Sequence, residues 1–145
     1  MTSTDTSYRK PLPVTDALTE PYWQAANEGR LILQRCTACQ RFQHYPRPHC
    51  VHCGTTDLEW AQASGRGSVH TFTVIHRNDA PGFADELPYV FAILQLDEGV
   101  RMAGNIFNVD PAEVRIGMPV RVCFDRATPE LAIPQWQPAQ AEAGQ

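Results

Sequence analysis

Two Cys-x-x-Cys pairs, Cys36/Cys39 and Cys50/Cys53, stand ten residues apart in the stretch CTACQRFQHYPRPHCVHC, and this spacing constrains the chain more than any other feature. In a reducing compartment such pairs point to metal binding before structural disulfides. A tight turn after the first cysteine of each pair lets the second sulfur face the same ion, and two such turns supply a tetrahedral set of four. Cys36, Cys39, Cys50 and Cys53 are therefore the expected ligands of one ion. The gap is shorter than common finger spacings and fits a zinc ribbon. Four sulfurs leave no coordination position for water or substrate, so the zinc is expected to be structural. A rubredoxin-like iron site, which would be coloured, and an unmetallated dithiol are the alternatives. With four thiolates sufficient, His44, His49 and His52 read as surface or supporting residues.

Charge then narrows the partners. The chain has a net charge of −4, with eleven arginines and one lysine, Lys10. Residues 30–60 carry 4 basic and 2 acidic groups, whereas residues 64–138 carry 6 and 9. Four thiolates on a divalent ion cancel the small basic excess of the cysteine region, leaving no strong footprint for a phosphate backbone. Nucleic acid is not the expected partner. The amino-terminal MTSTDTSYRKPLPV has no apolar core of signal-peptide length, and YVFAILQL is too short to span a bilayer; a soluble, cytosolic protein is expected.

At 145 residues the chain suits one domain, or two small ones sharing a surface. Residues 1–30 read as an arm and a short helix, LTEPYWQAANEG, with Thr19 as N-cap, Pro21 in the first turn and Gly29 after the last. Leu18, Tyr22, Trp23 and Ala26 form one apolar stripe. It either docks onto its own domain or presents Tyr22 and Trp23 to a partner. RLILQR leads into the first knuckle, and Leu58–Trp60 close a ribbon over residues 31–60.

Residues 64–138 read as an antiparallel β-domain with strands SVHTFTVIH, PYVFAILQL, VRMAGNIF, PVRVCFD and LAIPQW. Asp110, Pro111 and Gly117 mark a helical turn between the third and fourth strands. Five short strands with that turn suit an oligonucleotide/oligosaccharide-binding (OB) barrel, giving a mainly β fold, with residues 139–145 as a tail. His70 and His76 are expected to share a strand face with Phe72 and Val74 as packed or edge residues. Cys123 falls opposite the apolar row of Val120, Val122 and Phe124, without a neighbouring base to activate it. SGRGSV lacks the rest of a phosphate loop and reads as a tight turn, and no nucleophile elbow or His-Glu-x-x-His motif is present. Residues 76–88 form the longest loop, where OB folds often bind ligands, and are expected to expose Arg77 and Phe83.

The order of LILQRCTACQRFQHYPRPHCVHCG, LEW, SGRGSVHTFTVIHR, PYVFAILQLDEGVRMAGNI and IGMPVRV, over about residues 12–136, resembles a family of zinc-ribbon/OB-fold proteins. That family was once a domain of unknown function and is associated with acyl-CoA metabolism. The resemblance implies an N-terminal helical segment, a rubredoxin-like zinc ribbon and a five-stranded OB barrel. It supports the same four cysteines as ligands and transfers no catalytic residue. The chain would be an accessory subunit of a thiolase-like or aldolase large subunit, sharing acyl-CoA with it. Arg77 and Phe83 then become candidates to border a CoA or pantetheine channel, an arginine suiting the phosphates and a phenylalanine the apolar arm. A single-stranded nucleic-acid binder and an iron electron carrier are the rival classes.

Overall fold

The structure, a computed structural model, describes residues 8–139. The expected tail and the first residues of the arm lie outside the described residues. Helix α1, Glu20–Asn27, starts where the Asp16 carboxylate accepts the Thr19 N–H at 2.9 Å. Thr19 holds the N-cap position without a side-chain capping bond, and the Asp16 carboxylate fixes the turn before the helix by accepting the Thr19 N–H and hydroxyl. The helix ends as Gly29 N–H donates to the Ala26 carbonyl at 3.0 Å and Arg30 N–H to the Ala25 carbonyl at 2.9 Å, satisfying carbonyls that the last turn would otherwise orphan.

Three short strands build the ribbon: β1 (Ile32–Cys36) lies between β2 (Phe42–Gln43) and β3 (Leu58–Gln62). Both pairings are antiparallel, and β3 runs two residues beyond the expected Leu58–Trp60 to pair Gln62 with Ile32. The barrel follows with β4 (Arg66–Ile75), β5 (Tyr89–Leu96), β6 (Arg101–Ile106), β7 (Pro119–Thr128) and β8 (Leu131–Pro138). It closes in the order β4-β5-β6-β8-β7, with β7 returning to β4. A 3-10 turn, Pro111–Glu113, lies between β6 and β7, and the Asp110 side chain accepts the Ala112 N–H at 3.0 Å. These are the five strands and the turn that the sequence pattern predicts.

Strand parity departs from expectation in β4. A register shift between Val69 and Thr71 places His70 in a bulge, which changes the face of every later residue. Phe72 and Val74 pack against the core with Val69, while His70 is exposed. His76 follows the strand end and is also exposed. Neither histidine therefore shares the packed face.

One apolar cluster joins Tyr22 of α1, Leu31 and Leu33 of the ribbon, and barrel residues through Trp136. Ribbon, helix and barrel thus share a core. Trp136 is 0% exposed at its centre. Gly104 on the facing strand makes room for the indole: a Cβ there would lie 2.9 Å from Trp136 Cδ1. Strands β6 and β8 meet in parallel at Ile106 and Trp136, and Gln135 Oε1 extends the seam by accepting the Asn105 N–H at 2.7 Å. Helix α1 covers β8, and Arg126 of β7 donates to the Asn27 carbonyl at 2.9 Å at the helix end.

Candidate metal centre and flanking surfaces

The sulfur atoms of Cys36, Cys39, Cys50 and Cys53 all lie within 4.8 Å of one another. Sγ atoms are 3.6 Å apart for Cys36 and Cys53, and 3.8 Å apart for Cys39 and Cys50. A tetrahedral zinc with sulfurs at about 2.3 Å requires sulfur separations of about 3.8 Å, so the donor set fits one zinc ion. Cys36 closes β1, which fixes its position on the sheet. Its sulfur accepts the Ala38 and Cys39 N–H groups, each at 3.3 Å, and Cys50 Sγ accepts His52 N–H at 3.3 Å. Such amides stabilise thiolates in a knuckle.

The first cysteine of each knuckle is the better thiolate. The Cys39 N–H holds Cys36 below the ordinary thiol range. Burial works against Cys50, but the amides of Cys53 and His52 prevail and bring it to about 6. Cys53 rises to about 11: the Thr55 amide lowers it, but the neighbouring Cys36 sulfur and burial prevail. Cys39 is raised as well; the Arg41 amide works against this and is outweighed by burial and the adjacent sulfurs. A divalent ion would replace the protons that these crowded sulfurs otherwise retain.

The knuckles are anchored differently. Thr37 of the first donates its N–H and its hydroxyl to the Asp57 carbonyl at 2.9 and 3.0 Å. Within the second, Cys50 N–H donates to Thr55 O at 2.7 Å and Gly54 N–H to Cys50 O at 2.9 Å, so the turn closes on itself. Its ties to the sheet include the buried side chains of Gln34 and Gln43. Sequence pattern did not mark these glutamines; Gln34 is the polar residue that ends the apolar run Leu31–Leu33.

Of the three ribbon histidines, His49 and His52 are exposed, and His52 Nε2 lies 3.2 Å from the Phe42 carbonyl oxygen. His44 differs from the expected surface role. It is wedged between Tyr22 and Tyr45, with ring centroids 5.6 and 4.5 Å away, where ribbon meets helix. Burial lowers its pKa from 6.5 to about 4. The unfolded chain therefore binds a proton at this position between those pH values while the folded chain does not, so stability falls as pH drops through that window. The loss expected from the shift is on the order of 3 kcal/mol. Urea titrations at pH 7 and pH 4.5 should show a smaller acid penalty in His44→Phe than in the native chain; equal penalties would refute this assignment.

Phe83 is half-buried instead of exposed. Its ring lies 5.8 Å from that of Tyr89, and Lys10 Nζ stands 5.5 Å from its centroid. Lys10 in turn pairs with Glu86 at 2.9 Å and has a side chain only 8% exposed. Gly82 permits this close seating of the arm: a Cβ there would lie 2.5 Å from Lys10 N. Phe83, Tyr89, Phe91 and Ile133 contribute to a cavity of about 360 Å³ that Tyr8 and Lys10 help to wall. Arg77 does not line it. Its side chain is 84% exposed and pairs with Asp79 at 3.1 Å.

Tyr22 is 6% exposed and belongs to the core, because the helix docks onto its own barrel. It meets Trp23 edge-to-face at 5.1 Å. Half-buried Trp23 lines a second cavity of about 220 Å³, with His44, Tyr45, Met102 and Pro134 among its walls. Tyr45 is 63% exposed at its rim. Cys123 is half-buried, and burial followed by the Asp125 charge raises its pKa. It lies away from the sulfur cluster and is poorly suited to nucleophilic attack. No helix among the described residues is long and apolar enough to cross a membrane.

Comparison with known proteins matches residues 23–59 to "ChsH2, rubredoxin-like zinc ribbon domain" and residues 60–125 to "ChsH2, C-terminal OB-fold domain". A probable enoyl-CoA hydratase alpha subunit of Thermomonospora curvata is 38% identical over 130 residues, 90% of this chain and 40% of that protein. The chain thus spans about two fifths of that relative's length. A DUF35 domain-containing scaffold protein of Methanocaldococcus jannaschii is 40% identical over 98 residues, covering 66% of this chain and 68% of the relative. Among solved structures, a chain of an Ltp2-ChsH2(DUF35) aldolase aligns with a TM-score of 0.80 at 38% identity, covering 88% of this chain and 99% of the other.

Proposed function

The chain belongs to the DUF35 family of zinc-ribbon and OB-fold proteins, and on that premise we propose that it is a zinc-containing accessory subunit of a larger enzyme acting on CoA esters. Its similarity across 99% of a chain from an aldolase assembly carries this reading. An aldolase, or a thiolase-like enzyme, is the proposed large subunit. The hydratase activity named for the Thermomonospora relative is not carried over, since only about two fifths of that protein is matched.

The metal site and the lone thiol are consistent with a non-catalytic role. Four thiolates leave the ion no open position, and the Cys123 thiol is held protonated. The ribbon and core instead fix the presentation of α1 and the barrel. In this reading Trp23 contacts the partner, while buried Tyr22 supports it from beneath. The test is recovery of the tagged chain from its native cells, grown on lipid or aromatic substrates, with mass spectrometry of what accompanies it. A stoichiometric aldolase or thiolase-like protein is expected; recovery alone or with nucleic-acid machinery would overturn the reading.

Within such a complex, Arg77 would meet CoA phosphates after exchanging its exposed partner Asp79, and Phe83 would border the pantetheine arm. Losing a charge-assisted hydrogen bond or this apolar contact should weaken binding about ten-fold. Arg77→Ala and Phe83→Ala complexes should therefore show that loss in a CoA-ester titration. Unchanged affinity in both variants would remove the loop from the site without contradicting subunit assembly.

A further inference from the structure

Gln34 and Gln43 are cross-strand partners on β1 and β2, and at 5% and 4% exposed they are the buried polar residues of the described core. Their amides bond each other, with Gln43 Nε2 donating to Gln34 Oε1 at 2.7 Å. Gln34 then pairs with one residue twice: Nε2 donates to the Arg47 carbonyl at 2.9 Å, and Oε1 accepts the Arg47 N–H at 2.8 Å. Gln43 spans two residues, donating to the His49 carbonyl at 3.2 Å and accepting the Val51 N–H at 2.9 Å. Residues 47, 49 and 51 are thus held at alternate positions, as a neighbouring strand would hold them, although no strand lies there.

Local sequence accounts for this substitution. Pro46 and Pro48 lack N–H groups, so the approach to the second knuckle cannot form an uninterrupted ladder. Two long amide side chains reach across from the sheet and satisfy four backbone groups there, the Arg47 N–H and carbonyl, the His49 carbonyl and the Val51 N–H. Cys50 lies between the carbonyl and the N–H that Gln43 grips, so its peptide is fixed on both sides. The self-closing second knuckle is thereby held against β1 and the first pair of sulfurs, with His52 adding an exposed contact to Phe42.

We propose that the Gln34–Gln43 pair positions the second knuckle and thereby sets how tightly, and for how long, the four-cysteine site holds its zinc. Gln43 is the principal positioning residue, because it brackets a ligand. The amides keep the sulfurs close to binding geometry, reducing the ordering cost when the ion arrives. Removing such a supporting contact typically lowers metal affinity about 10- to 100-fold.

The test compares zinc affinity and release for the full native chain, Gln43→Met and Gln34→Met, using competition with a chromophoric chelator. Gln43→Met should weaken zinc binding about 10- to 100-fold and accelerate release, with Gln34→Met less affected. Cobalt-loaded samples should retain a four-thiolate spectrum, and barrel unfolding should be unchanged. Gln43→Asn provides a second variant that keeps the amide but shortens its reach; it should shift release in the same direction even if Gln43→Met fails to fold. Affinity and release within about two-fold of native in the folded Gln43 variants, or a larger effect from Gln34→Met, would overturn the assignment.

Discussion

Replacing Cys50 by serine should leave the chain without its metal and with an unfolded ribbon. The second knuckle has no strand of its own, β2 is two residues long, and β1 and β3 are five each. A unit of that size has too little core to fold by burial alone, so metal binding supplies part of its folding free energy. Elemental analysis after purification without added chelator should find one zinc per native chain and nearly none in the variant. Amide resonances from residues 31–60 should collapse in the variant, and strong chelation should reproduce this in the native protein. Because Leu31 and Leu33 belong to the barrel's cluster, loss of the ribbon should also loosen the helix and prevent partner assembly. A well-dispersed ribbon spectrum after verified zinc loss would refute the structural role. Retained assembly without zinc would separate the ribbon from docking.

Trp136→Ala should damage the barrel itself. Full burial of the indole makes this the largest side-chain truncation available in the core, and such changes cost about 3–5 kcal/mol. That is a large fraction of the roughly 5–15 kcal/mol stabilising an ordinary domain. Gly104→Val tests the other side of the same contact, since a Cβ would meet Trp136 Cδ1 at 2.9 Å and Nε1 at 3.3 Å. Overpacking there should cost about 1–3 kcal/mol, and less once the indole has been removed, because the two sites touch. Urea unfolding of both single variants and the double variant measures this coupling. A native midpoint in Trp136→Ala, or strict additivity, would contradict the contact.

The cysteine ligands were legible because coordination geometry demands short spacing within each pair. The barrel was legible because alternating apolar residues and turn signals recur along residues 64–138. Asp110 stood out by preceding Pro111, and Gly29 by following an apolar helical stripe. What sequence periodicity missed depends on contacts between distant positions. His70 reads as inward by simple alternation, but one bulge changes the parity. Phe83 reads as a loop-tip aromatic until Lys10, from far earlier in the chain, is seated over it. Tyr22 and Trp23 are adjacent and aromatic, yet docking buries the first and leaves the second partly available. Gln34 and Gln43 went unmarked because a local pattern does not reveal the backbone groups that await their amides.

The seating of α1 on β8 also imposes an order on biosynthesis. Arg126, which closes the helix end, lies 99 residues beyond Asn27. The ribbon's pairings are all complete by Gln62, so metal loading can begin while most of the barrel is still being translated. The helix cannot reach its permanent seat at that stage. It waits until β8 has left the ribosome, so docking of α1 follows synthesis of the whole barrel.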